Sequence, residues 1–169
     1  MPSTNDTITD SLAAPRPYWE ALLVEITLVD SVAQLAQCLE IRNQVFIEEQ
    51  KVPQELENDE YDASPDACDH ILLTYNGEPA GTGRWIAYNQ QTAKIQRVAV
   101  LSEFRGKGLG KVLLLGLEKH AKLAGYTWCI LDSQCHAESF YSQLGYNTVS
   151  EQPFEDAGIM HVRMQKKIG

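Results

Sequence analysis

The alternation of apolar and polar residues along the chain predicts an α/β fold. Short apolar runs rich in β-branched residues predict strands, and apolar residues spaced three or four apart predict amphipathic helices. We predict strands at 22–29, 70–75, 79–88, 93–101, 126–131, 146–150 and 159–165, and helices at 31–46, 108–124 and 137–144. This order of elements predicts a mixed sheet with helices on both faces.

Short-range signals place several element ends and surface contacts. Ser31 followed by Gln34 is a capping box that starts the first helix. The pair 76–77, Asn-Gly, lies between two apolar runs and predicts a tight hairpin. On the long helix, the four-residue spacing of Glu118 and Lys122 predicts a surface ion pair.

The length of 169 residues fits one domain. Residues 1–18 are rich in Ser, Thr, Asp and Pro, so we expect a flexible N-terminal arm ahead of a single domain at 19–169. No apolar run resembles a signal-peptide core or approaches the roughly 20 residues that cross a bilayer. These features predict a soluble, cytoplasmic protein that does not bind membranes.

The net charge and the cysteines narrow the choice of partners. A formal charge of −9 argues against nucleic acid as the main partner, because contacts to its phosphates need a basic face. The four cysteines lack the paired spacing of metal ligands, so we predict neither a metal site nor a disulfide framework.

Much of the negative charge lies in an acidic segment at 48–69. The segment is either a substrate loop or helix-containing lid, or a solvated loop that serves solubility. In the first case, an acidic rim could attract a cationic amine. The rim would comprise Glu48, Glu49, Glu55, Glu57, Asp59, Glu60 and Asp62.

A glycine-rich turn between an apolar strand and the long helix carries the main functional signal. It runs from Arg105 to Lys111 and has glycines at 106, 108 and 110. Such a turn lets backbone amides approach a phosphate, and the positive end of the helix dipole attracts the anion. The spacing fits neither a Walker loop nor the dinucleotide fingerprint G-x-G-x-x-G. A tight strand-to-helix turn without a ligand is the alternative.

The turn resembles the Arg-Gly-x-Gly-x-Gly pyrophosphate loop of the GNAT superfamily of N-acetyltransferases, and the likeness extends over roughly residues 20 to 168. A closer likeness is to the ElaA-like and YjcF-like branch of bacterial members. It rests on Arg42-x-x-Val-Phe-x-x-Glu-Gln-x-Val-Pro53 and Phe154-x-Asp-x-Gly-Ile-x-His161. The resemblance implies a mostly antiparallel central sheet of about seven strands, with a parallel pair splayed at the cofactor site.

The resemblance also implies acetyl-CoA as co-substrate. The pantetheine arm would enter beside the strand before the glycine turn. The implied cofactor contacts are Val98, Ala99, Val100, Arg105, Gly106, Lys107, Gly108, Leu109, Gly110, Lys111, Gln134, Ser139 and Tyr141. Gln134 stands where many relatives carry an Asn that contacts the coenzyme, although a surface residue at a helix start is the alternative.

Acetyl transfer from a thioester needs a neutral amine, a polarised carbonyl and a proton for the leaving thiolate. Tyr141 matches the aromatic block in which relatives often place the general acid, and its alternative is a core aromatic that shapes the pocket. For the base, Glu49, His70, Asp132 and His161 are candidates, and we predict catalytic roles for Glu49 and His161. A histidine on a strand is, however, often structural. The predicted acceptor contacts are Phe46, Glu49, His70, Arg84 and Asp132.

These inferences predict an N-acetyltransferase that moves an acetyl group from acetyl-CoA to a primary amine of a small molecule or peptide by direct attack. The alternative is a noncatalytic acyl-CoA binding or sensing module, which would need no proton donor. The sequence leaves the acyl chain length open. A homodimer through the closing strands is an expectation from the resemblance alone.

Overall fold

The computed structural model describes residues 23–169, so the predicted arm at 1–18 lies outside the described residues. Strands β1 to β8 are Val24–Leu28, Asp69–Tyr75, Glu78–Ala87, Thr92–Val100, Trp128–Gln134, Asn147–Thr148, Phe154–Asp156 and Ile159–Lys167. Helices α1 to α4 are Val32–Arg42, Gln54–Glu57, Leu109–Leu123 and Glu138–Gln143. A π-helical segment, Asn43–Glu49, extends α1, and short 3-10 helices lie at Glu60–Asp62, Ser102–Phe104 and Cys135–Ala137.

The strands of the described residues share one sheet, in the order β1-β2-β3-β4-β5-β8-β6, with β7 also paired to β8. Neighbouring strands are antiparallel except β4 and β5, which are parallel. The predicted mostly antiparallel sheet with one parallel pair is therefore confirmed. The additional strand is β7. Ala157 and Gly158 adopt positive φ angles of 51° and 80°, and this tight turn folds β7 back onto β8.

Helices α1 and α3 cover opposite faces of the sheet, as predicted. On β2, Ile71 and Leu73 belong to the core beneath α3, whereas Leu72 belongs to the core beneath α1. Successive side chains of a strand point to opposite faces, so this alternation separates the two cores. The buried side chains include Leu113, Leu114 and Leu117 on α3, and Leu35, Cys38 and Ile41 on α1.

The first helix starts as predicted but continues further than predicted. The Ser31 side chain caps it by accepting a hydrogen bond from the Gln34 backbone N–H at 3.2 Å. The Gln34 side chain accepts from the Asp30 N–H, which is one residue before the Ser31 N–H that a capping box would use. Beyond Arg42 the chain widens into the π-helical segment, which reaches Glu49 instead of ending near Phe46. This extension directs part of the segment toward the candidate site.

The predicted ion pair on the long helix is wrong. Glu118 is buried and accepts hydrogen bonds from Lys166 on β8, not from Lys122. Because α3 packs on the sheet, the carboxylate meets a strand lysine that sequence spacing does not reveal. No helix within residues 23–169 is long and apolar enough to cross a membrane.

Buried arginines hold the acidic segment on the sheet. Arg42, at the end of α1, contacts Glu57 at 2.6 Å and Asp62 at 2.6 and 2.9 Å. Arg84, on β3, contacts Asp59 at 2.6 and 2.8 Å and Asp62 at 2.9 Å. The arginine side chains are 1% and 0% exposed. We call these five residues, together with Arg97 on β4, the ion network.

The ion network corrects the two readings of the acidic segment. Burial would raise the pKa of Asp62, but the hydrogen bonds and charge of Arg42 outweigh it and lower that pKa to about 2. Glu57 and Asp62 are therefore structural counterions of buried arginines. The segment is not a solvated loop, and the proposed acidic rim loses Glu57, Asp59 and Asp62.

Candidate active site

A cleft of about 510 Å³ opens where β4 and β5 separate. The two strands pair only from Thr92–Trp128 to Ile95–Leu131. Beyond that point, β4 pairs only with β3, and β5 pairs only with β8. Arg97 lies at a bulge in β4 with a positive φ of 57°, which accompanies the change of direction. The volume is typical of a small-molecule site.

Val98, Ala99 and Val100 line the cleft along the separated part of β4. Their position agrees with the expected path of a pantetheine arm. The Val100 carbonyl is already engaged, because it accepts a hydrogen bond from Arg105 Nε at 3.0 Å.

The glycine turn leads from this strand into the N-terminus of α3. Gly106 and Gly108 have φ of 79° and 76°, a left-handed conformation that favours glycine, and a side chain there would meet open space. The N–H groups from Gly106 to Lys111 have no acceptor among the residues that the structure describes. At position 110, glycine is favoured for a different reason, because a Cβ there would lie 3.3 Å from the Phe140 ring.

Arg105 and Glu49 are brought together as a bidentate ion pair, with distances of 3.0 and 3.1 Å. Both side chains line the cleft. The Arg105 backbone N–H donates to the Ser102 carbonyl, so the free amides begin at Gly106, one residue later than expected. The Glu49 carboxylate, one of the predicted catalytic groups, therefore forms an ion pair at the edge of the glycine turn.

Tyr141 on α4 lines the cleft. Its ring lies edge-on to Phe140 and Tyr146, with centroids 5.0 and 5.9 Å away. Burial raises the pKa of Tyr141 to about 12, so the hydroxyl keeps its proton at neutral pH. A protonated phenol beside the cleft is able to donate a proton.

Gln134 at the end of β5 lines the cleft and forms a reciprocal amide pair with Gln50. Gln134 Nε2 donates to Gln50 Oε1 at 2.8 Å, and Gln50 Nε2 donates back at 3.3 Å. The pair joins the end of the π-helical segment to the end of β5 across the cleft. Ser139 is exposed on α4 and does not line the cleft, whereas exposed His136 does.

His161 on β8 has the arrangement of a potential base. Its Nδ1 lies 2.7 Å from the Ile159 carbonyl oxygen, so Nδ1 carries the donated proton. Nε2 is then the ring nitrogen that could accept a proton. Phe154 stacks on the ring with an interplanar angle of 22° and fixes its orientation. His161 also lines the cleft.

Asp132 lines the cleft but is committed to two cations. Arg163 binds both of its oxygens at 2.8 and 3.1 Å, and Lys94 lies 3.4 Å away. Burial would raise the pKa of Asp132, but the hydrogen bonds from Arg163 and the charge of Lys94 lower it. The carboxylate is therefore a weak proton acceptor.

Two predicted acceptor contacts, His70 and Arg84, do not line the cleft. Both are buried, and Arg84 belongs to the ion network. His70 Nε2 lies 2.8 Å from the Tyr61 carbonyl oxygen, and burial lowers the pKa of this histidine. Phe46, the remaining predicted acceptor contact, does line the cleft.

Sequence reasoning missed several cleft residues, among them Gln50, Lys94, Gln96, Arg97 and Asp156. Gln50 and Asp156 lie within the two motifs that carried the family resemblance, a signal that could have identified them. Nothing in the strand pattern marks Arg97, because the bulge that turns it is a tertiary feature. Among residues 23–169, no group of three or more His, Cys, Asp or Glu side chains has a metal-holding arrangement.

Several known proteins are similar in sequence to this chain. The sequence profile described as acetyltransferase (GNAT) domain matches residues 30–168. The uncharacterized protein YyaT of Bacillus subtilis is 41% identical over 145 residues, which span 86% of this chain and 97% of YyaT. The uncharacterized N-acetyltransferase YjcF of the same organism is 40% identical over 134 residues, or 79% of this chain and 92% of YjcF.

Solved structures share the fold. The crystal structure of Escherichia coli ElaA is 27% identical, with a TM-score of 0.74 over 86% of this chain and 100% of ElaA. A GNAT family acetyltransferase from Elizabethkingia anophelis, solved with acetyl-CoA bound, is 16% identical with a TM-score of 0.62 over 85% of this chain and 97% of that chain. At that identity the second likeness concerns the fold alone.

Proposed function

Because this chain belongs to the GNAT family of acetyltransferases, on the ElaA-like and YjcF-like branch that its motifs indicated, we propose that it acetylates a primary amine of a small molecule or peptide. The donor is acetyl-CoA, and Tyr141 is the general acid. Family membership makes the chain an acyltransferase, which favours the enzyme over a noncatalytic sensor.

One observation carries the proposal: the N–H groups from Gly106 to Lys111 have no acceptor within residues 23–169, and they directly follow Arg105, which lines the cleft where β4 and β5 separate. Backbone amides at the N-terminus of a 15-residue helix form an anion site, and Gly106 and Gly108 keep that site clear of side chains. These residues fit a diphosphate, and the cleft beside them fits a pantetheine arm. Bound acetyl-CoA would supply the thioester carbonyl that the amine attacks.

The residues of this chain divide the proton transfers. Tyr141 keeps its proton because its pKa is about 12, so its hydroxyl can protonate the departing thiolate. His161 Nε2 is the best candidate to take a proton from the substrate ammonium, since Nδ1 is already the donor to Ile159. Asp132 is less suited because Arg163 and Lys94 lower its pKa.

The test is release of free thiol from acetyl-CoA in the presence of amines of different classes. Suitable classes are polyamines, amino sugars, amino acids and peptide N-termini, with a no-amine reaction as the control. We expect thiol release that depends on one class of amine. Binding of acetyl-CoA by calorimetry without amine-dependent release would support the sensor and overturn the proposal.

A further inference from the structure

Arg97 is a partly exposed arginine among the residues that line the cleft. The residue lies at the bulge of β4, directly before Val98, and its side chain is 25% exposed and lines the cleft. It is the member of the ion network that reaches the cleft with a positive charge. The remaining arginines of the network, Arg42 and Arg84, are buried.

The contacts of Arg97 occupy only one side of its guanidinium. Nε donates to the Glu57 carbonyl oxygen at 3.1 Å, and Nη2 donates to the Leu56 carbonyl oxygen at 3.4 Å. The nearest carboxylate oxygens, of Glu57 and Asp59, are both 3.5 Å away. Nη1, which carries two of the five N–H donors, has no partner within residues 23–169.

The ion network has three arginines and three carboxylates, and Arg97 makes the longest ion pairs within it. Its carboxylates make their short contacts, 2.6 to 2.9 Å, with Arg42 and Arg84. Burial, and then the nearby charges of Arg84 and Arg42, lower the pKa of Arg97. An anion beside Nη1 could make a closer contact with Arg97 than the 3.5 Å contacts of the network carboxylates.

Apart from Glu57, the carboxylates that line the cleft do not supply that anion. Glu49 is paired with Arg105, and Asp132 is paired with Arg163 and Lys94. Asp156, at the end of β7, also lines the cleft and has no ion pair with another described residue. Among the described residues that line the cleft, Arg97 is thus a cation whose nearest carboxylates are 3.5 Å away, and Asp156 is a carboxylate without an ion pair. This is the complement of a ligand that carries a carboxylate and an ammonium group.

We infer that the acceptor is an amine that also carries a carboxylate, and that Arg97 binds this carboxylate through Nη1. Arginine suits the role because its planar donors match the two oxygens of a carboxylate. A site built around a charged partner discriminates strongly against an analogue that lacks the charge. The inference rests on the proposed function and narrows its substrate class.

The experiment compares amino acids with their carboxamides as acceptors, at pH values where equal fractions of each amine are neutral. We expect wild type to favour the acid in kcat/KM by about tenfold to a hundredfold, the range of one charge-assisted hydrogen-bonded pair. Arg97→Gln should abolish the preference, and Arg97→Lys should retain part of it. Binding of coenzyme A, measured by calorimetry, should be unchanged in both variants.

Lys94→Gln is the matched control, because it removes a different cleft cation while Asp132 keeps Arg163. We expect this variant to retain the wild-type preference. Equal use of acid and amide by wild type, or a preserved preference in Arg97→Gln, would overturn the inference and leave the acetyltransferase proposal intact. Absence of thiol release with every amine, despite coenzyme A binding, would overturn both.

Discussion

In the acidic segment, Glu57, Asp59 and Asp62 direct their carboxylates to buried arginines at distances down to 2.6 Å. In the glycine turn, by contrast, the N–H groups from Gly106 to Lys111 lack acceptors among the described residues. Both regions are rich in charged or strongly polar groups. In the acidic segment these groups bind one another, and in the glycine turn they have no acceptor among the described residues.

The difference separates groups that stabilise the fold from groups that can bind a ligand. A buried ion whose partner is removed is strongly destabilising, since desolvation is no longer compensated. An exposed N–H is solvated by water and exchanges that water for a ligand at little cost to the fold. Substitutions in the ion network should therefore change stability, and substitutions at the open groups should change binding and rate.

The largest expected effect is that of Asp62→Asn in the ion network. The change removes the charge that Arg42 and Arg84 share, and we expect it to lower the free energy of unfolding by about 3–5 kcal/mol. Urea unfolding measures the effect. Asp66→Asn, an exposed position in the same segment, is the control and should stay within about 0.5 kcal/mol of wild type.

The pH dependence of wild-type stability sharpens this test. The folded-state pKa of Asp62 is lowered from 3.8 to about 2, so its contribution is present above pH 4 and is lost as the pH falls toward 2. Asp62→Asn should lack this part of the acid transition. An unchanged stability in Asp62→Asn at neutral pH would show that the network is not closed as described.

Tyr141→Phe should have the next largest effect, on rate. Removal of the proton donor should lower kcat about 100-fold, the lower end for general acid catalysis, and leave coenzyme A affinity unchanged. Steady-state kinetics and calorimetry measure the two quantities. Tyr146→Phe removes a neighbouring hydroxyl that is buried in the core and does not line the cleft, so it should change kcat less than about twofold.

The same residue predicts the alkaline behaviour of the wild-type rate. Because the pKa of Tyr141 is raised from 10.0 to about 12, the acid form persists through pH 10 and kcat should not fall there. A fall in kcat near pH 10 in wild type that is absent from Tyr141→Phe would contradict both the raised pKa and the assigned environment.

Gly108→Ala should have the smallest effect, and Gly77→Ala in the hairpin between β2 and β3 is its matched control. Both glycines have positive φ, 76° and 80°, and open space around an added Cβ. Each substitution should therefore cost about 1 kcal/mol of stability. Only Gly108→Ala should also weaken coenzyme A binding, by about fivefold, because it disfavours the open turn. Equal coenzyme A affinity in the two variants would show that the glycine turn does not contribute to coenzyme A binding.

Much of the fold was accessible from the sequence because its signals are local. The apolar periodicity located the long strands and α3, and the pair at 76–77 located a hairpin. Strand β7 was missed because a three-residue strand carries too little periodicity. The π-helical segment was also missed, since its residues continue the helical pattern of α1.

The site was predicted less completely, and the failures have a common cause. The glycine turn could be located because its chemistry lies in consecutive residues. Arg84 and His70 do not line the cleft, because they bind partners more than eight residues away along the chain, Asp59 and Tyr61. Arg97 was not predicted as a site residue, yet it lines the cleft. It is a strand residue that a bulge turns toward both the acidic segment and the cleft.

The sequence by itself determined the order of elements, the two-faced sheet and the phosphate-type turn, because these follow from spacing between near neighbours in the chain. Only the tertiary structure decided which charged groups pair with one another and which remain available to a ligand. That division depends on residues distant in sequence, such as Arg42 with Asp62 and Glu118 with Lys166, that meet when the helices pack on the sheet. Burial then makes each such pairing obligatory, since an unpaired ion in the interior is too costly.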